Sequence, residues 1–227
     1  YLDAEYRTYA NELGDFADFS VRSAMVSFLA KPGETQNLVA ARSILAAMVA
    51  EPGAEGTRTR LEAARLIGSL PDAFEKELEA LLRDPDTEVA RHAIRAVGRL
   101  RKRRLLPALL DRLGNEDLNE EVVDAMVSLG DAVVGTLRDH LADDDFKAEA
   151  RALTARALSL IGTLAAGRAL MENLLQSDTA LRFSVIAALN KLRQARPELE
   201  LEVQMVETVL AAEIMGHYRS YQILGTL

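Results

Sequence analysis

From Thr57 to Leu201 apolar side chains return at intervals of three and four, the spacing that gives a helix one buried stripe. The stripes come in pairs. "RLEAARLIGSL", "ARHAIRAVGRL", "EVVDAMVSL", "ARALSLIGTL" and "SVIAALNKL" each predict a first helix closing on a leucine. Those leucines, Leu70, Leu100, Leu129, Leu164 and Leu192, lie 30, 29, 35 and 28 residues apart. After each comes a tight turn and a second amphipathic stretch, such as "FEKELEALLRD", "RLLPALLDRL" or "VVGTLRDHLAD". In "RLLPALLDRL" the residues Leu105, Leu106, Leu109, Leu110 and Leu113 share a face, and Pro107 falls in the first turn, where its missing N–H costs nothing. The polar clusters "RDPDTE", "GNEDLNE", "ADDDFKAE" and "QSDTA" then separate one pair from the next and supply N-cap residues. The longest interval predicts an extended first helix, Lys147 to Leu164, behind an enlarged "DDD" loop.

This pattern predicts an all-α chain: a right-handed α-α superhelix, or solenoid, of about five helical hairpins with helical caps. Residues 57–201 form the repeats. Residues 1–56 are expected to be capping helices, because the two patterns around "KPGE" do not align with the repeat and six of the eleven aromatics (Tyr1, Tyr6, Tyr9, Phe16, Phe19 and Phe28) lie there. Residues 202–227 are expected to form a terminal helix that continues into a longer chain, and the start without Met also reads as a segment of something larger.

The paired helices of "DPDTEVARHAIRAVGRL", Asp84 to Leu100, resemble HEAT repeats, relatives of the armadillo superhelix. Such units often carry an arginine early in the first helix. Arg60 and Arg182 stand there, whereas Ala90 and Thr154 replace it in two units. The resemblance covers about Thr57 to Leu201 and implies a fold and a binding role without naming a partner. The absence of Trp and the drifting period set the tetratricopeptide pattern aside. A second resemblance lies in "VLAAEIMGHYRSYQIL", which is similar to the cytosolic HEAT segments of bacterial ADP/ATP-translocase-like transporters fused to a cyclic-nucleotide-binding domain. It implies a cytoplasmic module at the cytosolic face of a membrane.

Composition narrows the chemistry. The chain has no Cys, which removes thiolate metal sites, disulfides and cysteine nucleophiles, and its net charge is −8. Its longest uncharged run, Ala157 to Gly167, is far below the roughly 18 apolar residues of a membrane span. The histidines His92, His140 and His217 come from separate units and form no metal motif, so they read as surface or helix-end residues. Acidic pairs such as Glu120 with Glu121, and the run Asp143 to Asp145, read as solvated loop charges without the enclosure that acid–base work needs. Gly68, Gly98 and Gly162 read as close-packing positions near the turns. No cofactor, metal or catalytic residue is expected.

One stretch stands apart. In an acidic chain, Arg99, Arg101, Lys102, Arg103 and Arg104 place five cations in six positions at the turn inside one hairpin. They either neutralise the end of a helix dipole or form the basic edge on which a partner docks. Alternation of turns and loops predicts a basic flank holding these residues with Arg168, Arg193 and Arg196. The opposite, acidic flank would hold Asp84, Asp86, Glu116, Asp117, Asp143 to Asp145 and Asp178. The partner classes are a protein or a neighbouring domain of the same chain, then an anionic membrane surface; nucleic acid is disfavoured by the acidic turn "PDAFEKE" beside the cluster. The expected function is a non-enzymatic protein–protein interaction scaffold. The alternative is a HEAT-like enzyme or nucleic-acid-binding module of the DNA-glycosylase or bilin-lyase kind, which the lack of Trp makes the weaker reading.

Overall fold

The computed structural model describes residues 18–71, 73–175, 178–201 and positions 207, 208, 211, 212, 214 and 215. Among these residues there is no strand; the fold is all-α. The chain divides into two compact units, with the boundary between Ser128 and Leu129.

The first unit contains α1 (Phe19–Ala30), α2 (Leu38–Val49), α3 (Thr57–Ile67), α4 (Glu75–Leu82) and α5 (Thr87–Leu100). A 3-10 turn (Arg103–Leu105), α6 (Leu106–Leu110) and α7 (Asn119–Leu129) come next. First helices pack on first helices, α1 on α3 and α3 on α5, while second helices form their own layer, α2 on α4 and α4 on α6. The hairpin α1–α2, expected as a cap, thus occupies the same two layers as its successors. Ala63, Ala64 and Ile67 of α3 and Val89, Ala93, Ile94 and Val97 of α5 are buried, as are Leu78, Leu81 and Leu82 of α4. Each large aliphatic side chain buried this way stabilises the stack by about 1.5–3 kcal/mol. The alanines matter for distance rather than area. At Gly98 an added Cβ would lie 3.1 Å from Ala125 Cα, so α5 and α7 approach closely through the missing side chain.

The helix starts obey local chemistry. Asp18, Asn37 and Asp86 cap α1, α2 and α5, with Asp86 accepting from the backbone N–H groups of Glu88 and Val89. Each such cap is worth about 1 kcal/mol. Pro107 sits in the first turn of α6, and Leu105, Leu106, Leu109 and Leu110 are buried, as the pattern predicts. That helix is nevertheless short: it ends at Leu110 in a run of turns, leaving Leu113 only half-buried.

The second unit contains a 3-10 turn (Gly130–Val133), α8 (Val134–Ala142), α9 (Ala148–Ile161), α10 (Leu164–Glu172) and α11 (Thr179–Ala195). The same order holds within it, with α9 on α11 and α8 on α10. The long helix expected from Lys147 to Leu164 is not formed. Gly162 adopts φ 72° and ends α9, and Thr163 accepts from Ala166 N–H to begin α10 at Leu164. Leu164 therefore opens a second helix instead of closing a first, which moves the register of this hairpin by three residues. Gly162 serves the left-handed turn and not, as expected, close helix packing.

That shift corrects the placement of the arginines. The fourth residue beyond each N-cap is Arg22 in α1, Arg60 in α3, Arg151 in α9 and Arg182 in α11, so Arg151, not Thr154, is the counterpart of Arg60. Arg22 pairs with Glu51 at 2.5 Å. Arg60 bonds Asp84 at 2.7 Å and the carbonyls of Glu51 and Gly53, tying the loops on both sides of its hairpin. Arg151 donates to Leu141 O at 2.9 Å and Asp144 at 2.7 Å. All four arginines start from one helical position, and the three whose loop contacts are described act as staples on loops.

Candidate functional site

The basic cluster begins where α5 stops. Lys102 N–H donates to Val97 O and Arg101 N–H to Gly98 O, the paired closure of a Schellman turn. The closure requires a left-handed residue after the helix, and Arg101 supplies it at φ 51°, ψ 46°. Among the described residues it is the one non-glycine with positive φ. After α7 and α9 the corresponding residues are Gly130 at φ 67° and Gly162 at φ 72°. An arginine there costs about 1–2 kcal/mol relative to an unstrained backbone.

Around this turn the five candidates separate. Arg99, Arg101, Arg103 and Arg104 are exposed. No carboxylate among the described residues pairs with any of them, whereas Arg22, Arg42, Arg60, Arg83, Arg91, Arg95, Arg138, Arg151 and Arg196 all have acidic partners. Lys102 is different: it is 7% exposed and faces Glu75 at 3.7 Å. Burial, then the neighbouring Arg104, push its ammonium below the ordinary lysine range. The 3-10 path from Lys102 to Leu105, with three residues per turn, points Lys102 and Leu105 inward and leaves Arg103 and Arg104 outside. The exposed basic edge therefore consists of four arginines, and Lys102 belongs to its support.

Five of the residues expected on an acidic flank also have local duties. Asp84 is buried beneath Arg60, Asp86 and Asp178 cap helices, Asp143 accepts from Asp145 N–H and Asp144 holds Arg151. Arg112 adds a clasp on the same loop as Asp84, donating to the carbonyls of Leu82 and Asp84. An open groove of about 570 Å³ runs over Arg60 and Asp84. Sequence reasoning missed the staple at Arg151 because its register there was set by Leu164.

The chain matches the family model described as HEAT repeats, over residues 53–127 and 74–159. Residues 53–159 are HEAT repeats. No curated protein matches the chain. HEAT repeats mediate protein–protein interaction, and the basic turn lies inside the matched HEAT segment. The stretch 209–224, which carries the transporter resemblance, falls outside the described residues except for 211, 212, 214 and 215, and His217 and residues 1–17 fall outside them altogether. No helix among the described residues is long and apolar enough to cross a membrane.

His140 is a helix-end residue, as expected, but a buried one. It lies in the last turn of α8 against Phe146, with ring centroids 4.1 Å apart, and its Nδ1 lies 2.9 Å from Thr154 Oγ1. The single hydroxyl proton of Thr154 goes to Ala150 O, so His140 donates from Nδ1 and leaves Nε2 as a bare, buried nitrogen with no partner among the described residues. Burial lowers its pKa below 6.5; Asp143 opposes that shift and Arg151 adds to it. The unfolded chain therefore takes up this proton more readily than the folded one. The stability contributed by neutral His140 is complete above about pH 6.5 and falls by up to about 1.4 kcal/mol per pH unit as acid approaches its folded pKa. His92, also lowered by burial, adds a contribution of the same sign. Thermal melts between pH 7.5 and 5 should show this decline, and His140→Leu should make it shallower; an unchanged slope would contradict the assignment.

Proposed function

We propose that the chain is a non-enzymatic HEAT module that docks a protein partner on the exposed turn after α5 through Arg99, Arg101, Arg103 and Arg104. One observation carries this reading: a strained left-handed arginine stands where the hairpins that begin with α7 and α9 use glycine, among guanidinium groups with no carboxylate partner among the described residues. Strain kept against an easy remedy is a mark of functional positions. Helix-dipole neutralisation accounts for one cation near Leu100, at about 0.3–1 kcal/mol, but not for arginines projecting from the 3-10 turn beyond it.

A place in a larger membrane-associated protein, at the cytosolic face, rests on the resemblance of residues 209–224 alone. An anionic membrane is the second partner class. It draws less from the turn, because Leu105 and Leu106 are buried and leave no large aliphatic side chain there to enter lipid. The enzymatic and nucleic-acid alternatives draw no support from the turn's geometry.

The decisive pair of variants separates binding from folding. Arg101→Gly should stabilise the chain by about 0.5–1 kcal/mol, by releasing the left-handed strain against the greater backbone freedom of unfolded glycine. The same change should weaken partner capture. Reversing Arg101, Arg103 and Arg104 to Glu should abolish capture without unfolding the chain. Partner pull-down and thermal melts read both; retention of the partner by the triple variant would remove the turn from the binding surface.

A further inference from the structure

Arg99 does not point away from the stack. Its guanidinium Nη1 lies 3.1 Å from where a Cβ on Gly68 would stand, so the side chain lies over the end of α3 and uses the space that glycine leaves. Gly68 has an ordinary helical backbone, with φ −64°, so the turn itself does not demand glycine. Arg65, one turn earlier on α3, is exposed, and no carboxylate among the described residues pairs with it. Its charge reaches His92 on α5, as does that of Arg95. Arg65 and Arg99 thus belong to one face, shared by α3 and α5, that leads into the turn.

We infer that the basic surface is a strip, running from Arg101, Arg103 and Arg104 through Arg99 across Gly68 to Arg65, that binds an extended acidic peptide segment. This rests on the reading that the turn is a docking site, and deepens it by naming the partner's chemistry and the second half of the site. Arginine forks pair carboxylates side-on, which suits Asp and Glu side chains. Packed helices lie about 8–10 Å apart, so a peptide crossing from α5 to α3 spans about three extended residues. Carboxylates at that spacing meet both ends of the strip. The strip stays narrow because Glu120, Glu121 and Asp124 wall the far side of α5, in a groove of about 250 Å³ with Arg95 and Arg99. That wall repels a broad polyanion and leaves room for a single strand.

The test uses the whole chain and a fluorescent decapeptide of alternating Glu and Ser, read by anisotropy at low and moderate salt. Salt-dependent binding is expected. Arg65→Glu should weaken it about fivefold. Gly68→Ala, which displaces only the flexible end of Arg99, should weaken it about twofold to threefold with no loss of melting temperature. Arg58→Glu, two turns back on α3, makes the same charge change off the strip and should alter binding less than twofold. In the presence of peptide, the His92 ring resonance should titrate at higher pH, since added carboxylates offset Arg65 and Arg95. If Arg65→Glu and Gly68→Ala bind like the parent while the triple reversal of the turn abolishes binding, the strip is overturned and the turn alone stands. If the triple reversal also binds, both readings fall. If the parent chain ignores the peptide, or if vesicles of phosphatidylserine bind in its place with the same dependence on Arg65, the acidic-peptide assignment is overturned.

Discussion

Replacing Arg60 by Met is expected to destabilise the first unit by about 3 kcal/mol, more than the loss of any surface ion pair of the chain. All five of its N–H groups have acceptors: Asp84 Oδ2 at 2.7 Å and Oδ1 at 3.5 Å, Glu51 O at 2.6 Å, Gly53 O at 3.1 Å and Thr57 Oγ1 at 3.2 Å. Arg60 and Asp84 are 8% and 7% exposed, so removing the cation strands a carboxylate away from water. Breaking a buried pair from one side costs about 3–5 kcal/mol. The open groove above Arg60 lets some water in, which places the cost at the lower end. The sign of a second change makes the test sharp. Asp84→Asn alone should destabilise by about 1–2 kcal/mol, by weakening charge-assisted bonds to Arg60. In the Arg60→Met background the same Asp84→Asn should stabilise, since it removes the stranded charge. Urea denaturation of the four variants, with hydrogen exchange of α3 and α4 amides, reads the cycle; equal effects of Asp84→Asn in both backgrounds would show that the two side chains are not coupled.

How much of this was legible in the chain depends on how far each feature reaches along it. Helix faces are local, and the buried set Ile67, Leu78, Ile94 and Leu109 comes directly from spacing. Caps at Asp86 and Asp178 were also legible, because an N-cap needs only its own side chain and the next few N–H groups. Gly98 was read correctly as a close approach between helices. Helix ends were harder. "SLIGTL" looks like "LIGSL", yet Gly162 is left-handed and Gly68 is not. The residue after each glycine makes the difference: Thr163 can cap a new helix at once, whereas Ser69 turns back to donate to Leu66 O.

The basic turn was visible as composition but not as geometry. Sequence alone put Lys102 with its neighbours, because nothing in "RLRKRRLL" marks a 3-10 path that turns every third residue inward. Nor did it connect Arg99 with Gly68, 31 positions earlier; only the packing of α3 on α5 brings them together. The same limit hid the acidic residues' roles. Asp84 looks like a solvated loop charge until Arg60 is placed above its loop, and Asp144, though exposed, shows its hold on Arg151 only in the fold.

Arg151→Ala tests the corrected register in the second unit, with an expected loss of about 2 kcal/mol. The difference from Arg60 has a physical cause. Asp144, with a side chain 79% exposed, is solvated when its partner leaves, so no buried charge is stranded; the cost comes from the orphaned carbonyl of Leu141 and lost packing of a side chain only 5% exposed. Removing Arg151 also removes a cation that helps keep His140 neutral. The folded pKa of His140 then moves back toward 6.5, folded and unfolded chains bind this proton more equally, and the acid-side decline flattens. The variant should therefore be weaker than the parent at pH 7.5 but lose less between pH 7 and 5. Chemical denaturation at those pH values, with hydrogen exchange of α9 amides, measures both. A parallel downward shift of the whole stability–pH curve would mean that Arg151 and His140 do not communicate, and an unchanged stability at pH 7.5 would remove Arg151 from the staples.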